Sequence, residues 1–583
     1  VRIFLSFFRS RIKPRVKFAS VVTPIDAFLL LGVLILIYGL VSVANEWTGP
    51  FRATTEIHLN FLSLLKYTLF SLVRVFIAYG LSLIFTLVYG YVAAKSKVAE
   101  PILISLLDIL QSVPVLGFMP GLVLALVRLF PNSNLGLELA TVLMIFTCEG
   151  WNMVFSFYTS LKGVPLELRE LSQMLRLGRL DLLKTVEIPY SVNGLLWNSM
   201  LSMAGGWFYL MVMESFTLGD KDFRLPGIGS YVTVAYEHHD VRAILSGIAV
   251  MFVVIIVVDR CVWAPLVAWS ERFRYDRGPT NTVSRSLVLD LLRRSKMLPS
   301  YFRSVKKIRV TISEIPLGPQ KSLHGWVPQK VKRTVVTLVI VVAVGLVIFA
   351  TVYGVRGTYQ LLSETKWQSW LFHLRDTFYT FLRVAAAVVL GSLWTIPVGI
   401  WIGTHPTWTR RLQPVVQIVA SFPAPMLFPL LTYLLVKSGM GIELGAVVLM
   451  LFASQWYILF NVISGATLIP KQMLELGRVF HLKGYRRWIS ILLPAVFPSL
   501  VNGWITAAGG AWNACIVTEF VSEGNHSLVA TGIGASISEA AQNADFPKLA
   551  GAIFVMVVTV VLLNRFFWGA LYRLAETRFR LEY

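Results

Sequence analysis

Long apolar runs, not alternating or short-period patterns, dominate this chain. Ala27 to Asn45, Thr334 to Val355, Leu412 to Val436 and Leu444 to Pro470 hold no charged residue, and about 20 apolar residues suffice for a helix to cross a bilayer. Segments that tolerate one or two charges extend the pattern to spans near 25–44, 67–93, 102–130, 135–161, 190–218 and 243–270. A second set follows near 334–353, 376–403, 414–437, 443–467, 495–521 and 548–572. The pattern predicts an all-α polytopic membrane protein with six helices in each half. Strands are not needed, because a helix satisfies its own backbone groups in lipid.

Composition narrows the class. The 583 residues are 56% hydrophobic and 14% charged, far from the roughly 25% charged of a soluble domain, so a soluble enzyme is excluded. The net charge of +22 is concentrated. Residues 1–17 carry six Lys or Arg and no acid, and residues 272–333 carry fifteen against Asp276, Asp290 and Glu314. Basic residues flanking apolar spans mark cytoplasmic segments, which accounts for the charge without nucleic acid. Residues 1–24 are expected as a basic amphipathic segment at the interface, with no removable signal peptide. Residues 25–272 and 334–583 then form two domains joined by a basic cytoplasmic linker, 273–333, and both termini lie inside. Cys148, Cys261 and Cys515 are far apart, so neither a metal site nor a disulfide framework is indicated.

The halves are copies of each other. At an offset of 305, residues 165–275 align with 470–580 without a gap and 24 of 111 positions are identical. The matches include Trp207 with Trp512, Glu214 with Glu519, Gly227 and Gly229 with Gly532 and Gly534, and Asp240 with Asp545. Upstream the offset is 309, pairing Arg74 with Arg383, Gly90 with Gly399, Pro114 with Pro423 and Pro120 with Pro429. Repeats with an even number of spans share one orientation, which implies a pseudo-twofold axis along the membrane normal and a pathway between the halves.

Between spans four and five each half inserts a charged cytoplasmic stretch. Leu168, Leu171 and Leu175 fall at i, i+3 and i+7, and Met473, Leu476 and Phe480 hold the same register in the second half. Each set is one apolar stripe on a short helix. A surface helix lying on its own bundle would give the same pattern. Its recurrence in register, where a plain connector would do, favours a docking surface for a partner.

Here the residues resemble a known family. Pro165, Glu170 and Pro189, repeated as Pro470, Glu475 and Pro494, reproduce the P-x4-E-x18-P frame of the EAA loop of ABC importer permeases. The neighbouring residues look most like the nitrate, sulfonate, taurine and bicarbonate branch. The resemblance implies a type I importer fold of the MetI-like kind, with two permease domains fused in one chain of the bacterial inner membrane. It further implies two ABC ATPase subunits on the cytoplasmic side, holding ATP and Mg, and a periplasmic or lipid-anchored solute-binding protein. Glu170, Leu171, Leu175, Pro189, Glu475, Leu476, Phe480 and Pro494 would then couple to the ATPases. Six residues past the loop glutamate the family expects glycine, where this chain has Arg176 and His481. Gly178 and Gly484 are the nearby candidates for the helix break.

No phosphate-cradling G-x4-GK[ST] loop occurs in the chain, so ATP hydrolysis is expected elsewhere and no catalytic site is predicted. The alternative is a twelve-helix secondary transporter of the major-facilitator type, whose G-x3-D-R motif is missing between spans two and three. Glu237-His238-His239-Asp240 is the one metal-like cluster, and its counterpart Gln542-Asn543-Ala544-Asp545 lacks the histidines, so a solvated loop is expected. Charges inside spans are costly and tend to pair or face a polar cavity. Arg74 with Glu214 and Arg383 with Glu519 lie at similar depths, which predicts a simple, swappable ion pair in each half. On the competing reading the arginines bind anionic cargo. Arg128 adds to an anion preference, whereas Asp108 and Glu149 oppose it. Glu149, Pro114, Pro120, Pro423 and Pro429 are further candidates for the pathway. The resemblance points to a small oxyanion or sulfonate.

Overall fold

The structure is a computed structural model that describes residues 24–219, 221–273, 288–290, 345, 352–439, 441–523 and 526–579. The expected interfacial segment, most of the linker and most of the span near 334–353 lie outside the described residues. In the first half the helices are α1 (Pro24–Thr48), α2 (Phe61–Lys95), α3 (Ala99–Ser112), α4 (Met119–Leu129), α5 (Leu135–Lys162), α6 (Leu166–Met174), α7 (Ile188–Glu214), α8 (Ile228–Glu237) and α9 (Val241–Val258). The second half repeats α2 to α9 as α10 (Trp367–Thr404), α11 (Pro406–Ala420), α12 (Phe428–Lys437), α13 (Ile442–Thr467), α14 (Lys471–Val479), α15 (Leu493–Thr518), α16 (Ile533–Gln542) and α17 (Phe546–Leu562).

Lipid-facing and protein-facing sides separate on the long helices. Leu81, Ile84, Val88 and Val92 of α2 and Leu382, Val389 and Leu393 of α10 are exposed, a surface that only acyl chains would cover. Inward, α5 lies between α2 and α7, and α13 lies between α10 and α15. One apolar core runs through both halves, from Leu64 and Val75 to Ala552 and Val560. Among the described residues, seven helices are long and apolar enough to cross a membrane, or eight if one bent pair is a single span. The 27-residue α7 is not among them. Its Ser, Asn and Gly residues face protein instead of lipid: Ser191, Ser199, Ser202, Gly205 and Gly206 are all buried.

Two expectations need correction. The spans near 102–130 and 414–437 are not continuous. Pro114 (ψ 107°) and Pro423 (ψ 112°) are extended and break them, each followed by a short 3-10 turn. In the first half the chain turns by 83° there. A proline lacks the N–H a helix interior needs, yet fits the first turn of a helix, and Pro120 and Pro429 stand second in α4 and α12. Strands do occur. Ser215–Leu218 (β1) pairs with Lys221–Arg224 (β2), and Phe520–Glu523 (β3) with His526–Val529 (β4), as antiparallel hairpins capping the ends of α7 and α15. Their backbone groups pair locally, so the tight connection to α8 and α16 leaves few unsatisfied.

Candidate functional site

Glu214 and Glu519 sit at the ends of α7 and α15, with no exposed surface. Arg74 Nη1 donates to Glu214 Oε1 at 2.8 Å, and Arg383 Nη1 donates to Glu519 Oε1 at 2.9 Å. Neither is a simple pair. Arg74 also donates through Nε and Nη2 to both oxygens of Glu138, at 2.6 and 2.7 Å. In the second half Arg383 Nη2 donates to Glu443. Each guanidinium therefore faces two carboxylates, and its remaining contacts are carbonyls: Pro226 O for Arg74 and Thr531 O for Arg383, both at 2.9 Å, with Glu443 O a further 3.4 Å contact of Arg383 Nε. The swappable-pair expectation is corrected to a three-membered cluster.

Glu138 and Glu443 escaped the sequence reading although they match at the offset of 305. A carboxylate in the first turn of a helix looks like an ordinary interfacial end. The hydroxyls repeat as well. Ser71 Oγ donates to Glu214 at 2.6 Å and accepts from Ile228 N, while Thr380 Oγ1 donates to Glu519 at 2.8 Å and accepts from Ile533 N. The Gly-Ile-Gly triplets have a matching reason. Gly229 N and Gly534 N donate to the buried carboxylates at 2.7 and 2.9 Å. A Cβ on Gly227 or Gly532 would stand 2.1 or 2.2 Å from the nearest carboxylate atom.

At the opposite end of the bundle, α6 and α14 turn their small residues inward and their large ones outward. Ser172 is buried, and Gly477 lies against Ile491, leaving no room there for a Cβ. Leu171, Leu175, Leu476 and Phe480 are exposed, at 51%, 63%, 53% and 70%. Glu170 and Glu475 are exposed too. A helix resting on its own bundle would do the reverse, so these apolar faces have no internal partner among the described residues. Leu177 N bonds Ser172 O and Leu482 N bonds Gly477 O, closing both helices in Schellman fashion. Arg176 (φ +49°) and His481 (φ +50°) take the left-handed position themselves. Gly178, at φ −65°, does not supply the break, and Gly484, at φ +52°, opens the following turn instead. Pro189 and Pro494 stand at the starts of α7 and α15, after π-helical turns Leu183–Glu187 and Trp488–Leu492. The wider turn relieves the clash of a proline ring with the carbonyl four residues back.

The repeated frame and its geometry agree with the comparison to known proteins. The description of the binding-protein-dependent transport system inner membrane component matches twice, over residues 86–262 and 395–581. The chain belongs to this family. It is thus an ABC importer permease with two permease domains in one chain, which sets aside the major-facilitator alternative. It is similar to the bicarbonate transport system permease protein CmpB of Synechocystis sp., 28% identical over 183 residues, or 31% of this chain and 62% of that protein. The nitrate import permease protein NrtB of Leptolyngbya laminosa is 25% identical over 182 residues, covering 31% and 62%. The glycine betaine/proline betaine transport system permease protein ProW of Escherichia coli is 22% identical over 237 residues, covering 40% and 63%. The chain spans under two thirds of the length of each of these relatives.

In this permease the remaining candidates do not gather into one site. Glu149 is buried halfway along α5. Its Oε2 accepts from Ser82 at 3.3 Å, and its Oε1 has no hydrogen-bond partner among the described residues. On α7, Tyr209 donates across the seam between the halves to Asn513 Oδ1 at 2.7 Å. None of these polar groups is duplicated: Glu149, Tyr209 and Asn513 match Ser454, Ala514 and Phe208. Arg128 is exposed near the end of α4. The Glu237–Asp240 segment is a capping loop. Glu237 accepts from Arg224, and Asp240 and Asp545 cap α9 and α17 by accepting from Ala243 N and Lys548 N.

Proposed function

We propose that the chain forms the translocation pathway for a small solute, of the oxyanion or sulfonate class that includes nitrate, taurine, alkanesulfonate and bicarbonate. Two separate ATPase subunits drive it from the cytoplasm, a binding protein feeds it from outside, and both termini lie inside. The observation that carries the docking part is the outward apolar face shared by α6 and α14. Two equivalent surfaces fit two equivalent ATPase subunits, and their closure would pass through α6 and α14 into α7 and α15, against which the seam is built. The case for an anionic cargo rests on likeness to CmpB and NrtB. It does not rest on Arg74 and Arg383, whose charges are matched by carboxylates in this arrangement.

The test is charge reversal at Glu170 and Glu475 together. The double variant should remain in the membrane, lose its ATPase subunits on purification and stop transporting. Normal transport by the double variant, or ATP hydrolysis by the purified chain alone, would overturn the reading.

A further inference from the structure

Away from α6 and α14, at the far end of the bundle and beside the repeated clusters, one layer of the two halves does not match. Between α10, α16 and α17 lies a half-open pocket of about 240 Å³ whose lining includes His373, Arg375, Asp376, Ser536, Glu539 and Lys548. The register fixed by Ser71 and Thr380, and by the capping Asp240 and Asp545, assigns the first-half equivalents: Leu64, Lys66, Tyr67, Tyr231, Val234 and Ala243. All of these but Lys66 are buried in the apolar core. Five positions of a packed layer have thus become polar, and a cavity has opened among them. On this measure about 10–15 Å³ already holds one water, so the space suits a solute of several heavy atoms.

His373 lies at the floor, 1% exposed, and neither ring nitrogen has a hydrogen-bond partner among the described residues. Such a burial is costly unless something meets the ring. The carboxylates around it are already engaged. Asp376 Oδ1 accepts from Arg375 Nε and Nη2 at 3.1 and 2.9 Å, and its Oδ2 accepts from Ser536 at 2.8 Å. Glu539 Oε2 accepts from Lys548 Nζ at 2.9 Å. A guanidinium has five N–H donors and an ammonium three, so both cations keep donors in hand, while Asp376, the acid one turn from His373, already accepts three hydrogen bonds. No group of three or more His, Cys, Asp or Glu among the described residues could hold a metal ion. A surplus of donors above an unsatisfied imidazole selects for a ligand rich in acceptors.

We propose that this cavity is a binding site for a small oxyanion, held by His373 at the floor and by Arg375 and Lys548 at the rim. It occurs once per chain, and it requires neither the cargo nor the ATPase docking argued above. The test is calorimetric titration of the purified full chain with sulfate, nitrate and bicarbonate, each against chloride at equal ionic strength. At least one oxyanion should bind saturably at one site. His373→Leu and Lys548→Ala, which install the first-half residues, should each weaken it at least tenfold, whereas Lys66→Ala in the first half should leave it unchanged. Lys548 is partly exposed, so its truncation keeps the fold intact even if the His373 variant does not. The site is refuted if no oxyanion binds beyond chloride, or if Lys548→Ala binds as tightly as the unaltered chain.

Discussion

Truncating Arg74 should destabilise the permease more than truncating Arg383, although the two residues are equivalent in the repeat. Arg74 is 1% exposed and both of its carboxylate partners are fully buried, whereas the side chain of Glu443 is 54% exposed. In Arg74→Ala two buried carboxylates face each other. Restoring the net charge of the cluster requires one of them to take a proton at pH 7, against an ordinary carboxylate pKa near 4.3. At about 1.4 kcal/mol per pH unit this amounts to ~4 kcal/mol, within the ~3–5 kcal/mol typical of a broken buried pair. In Arg383→Ala, Glu443 can stay ionised in water, and Glu519 keeps the Thr380 hydroxyl and Gly534 N–H. The loss is then that of charged hydrogen bonds, about 2 kcal/mol. The Arg74→Ala deficit should also shrink on acidification, to about 1 kcal/mol at pH 5, because the proton is then nearly free. Denaturant unfolding of both purified variants at pH 7 and pH 5 measures these differences. Exchanging Arg74→Glu with Glu214→Arg should not restore stability, since Glu138 would oppose the new carboxylate and Gly227 leaves no room for a longer side chain. Full rescue by that exchange, or equal deficits in Arg74→Ala and Arg383→Ala, would refute the three-membered cluster. Unchanged stability in Arg74→Ala with transport lost would promote the cargo-ligand role.

Gly227→Ala should cost as much as Arg74→Ala, because the new methyl overlaps the Glu214 carboxylate; Gly80→Ala on α2, with nothing within 4 Å, should instead gain about 1 kcal/mol. The same unfolding measurement separates the two. Arg176→Gly and His481→Gly should each stabilise the chain by about 1 kcal/mol by removing a side chain from the left-handed region. A loss of stability in both would mean that the long side chains make contacts that outweigh the backbone.

Spans and duplication were legible because lipid leaves few solutions: a helix must be apolar along its length, and two copies of one design must repeat their costly charges. The pairing of Arg74 with Glu214 could be read from depth alone. What could not be read depends on atoms brought together from distant segments. Glu138 joins the cluster because α5 begins beside α2, and nothing local distinguishes it from a carboxylate in water. The hairpins escaped because four-residue strands such as Ser215–Leu218 are too short to show a period of two. The breaks at Pro114 and Pro423 were visible as prolines, but continuous hydropathy on both sides hid the change of direction.

One number in the sequence explains more of the asymmetry than any single residue. The offset falls from 309 at Pro120 and Pro429 to 305 at Glu138 and Glu443, so the first half carries four more residues between the proline that opens α4 and the cluster glutamate of α5. There Asn134 accepts from Arg52 N and donates its own N–H to Gly49 O, tying the start of α5 to the segment after α1. That segment in turn pairs with β2, through Arg224 N to Ala53 O and Thr55 N to Arg224 O. The first cluster is thereby closed over, and the second stays open at Glu443. The seam is also unequal, with Tyr209 contributed by one half and Asn513 by the other. The short helices α6 and α14, by contrast, keep the same frame, a small residue turned inward at the same place and the same outward apolar face. Fusion into one chain makes this division possible. Two separate identical permeases would have to duplicate every change, whereas fused halves can diverge at one cluster and along the seam while the outward faces of α6 and α14, the docking surfaces proposed above, stay alike.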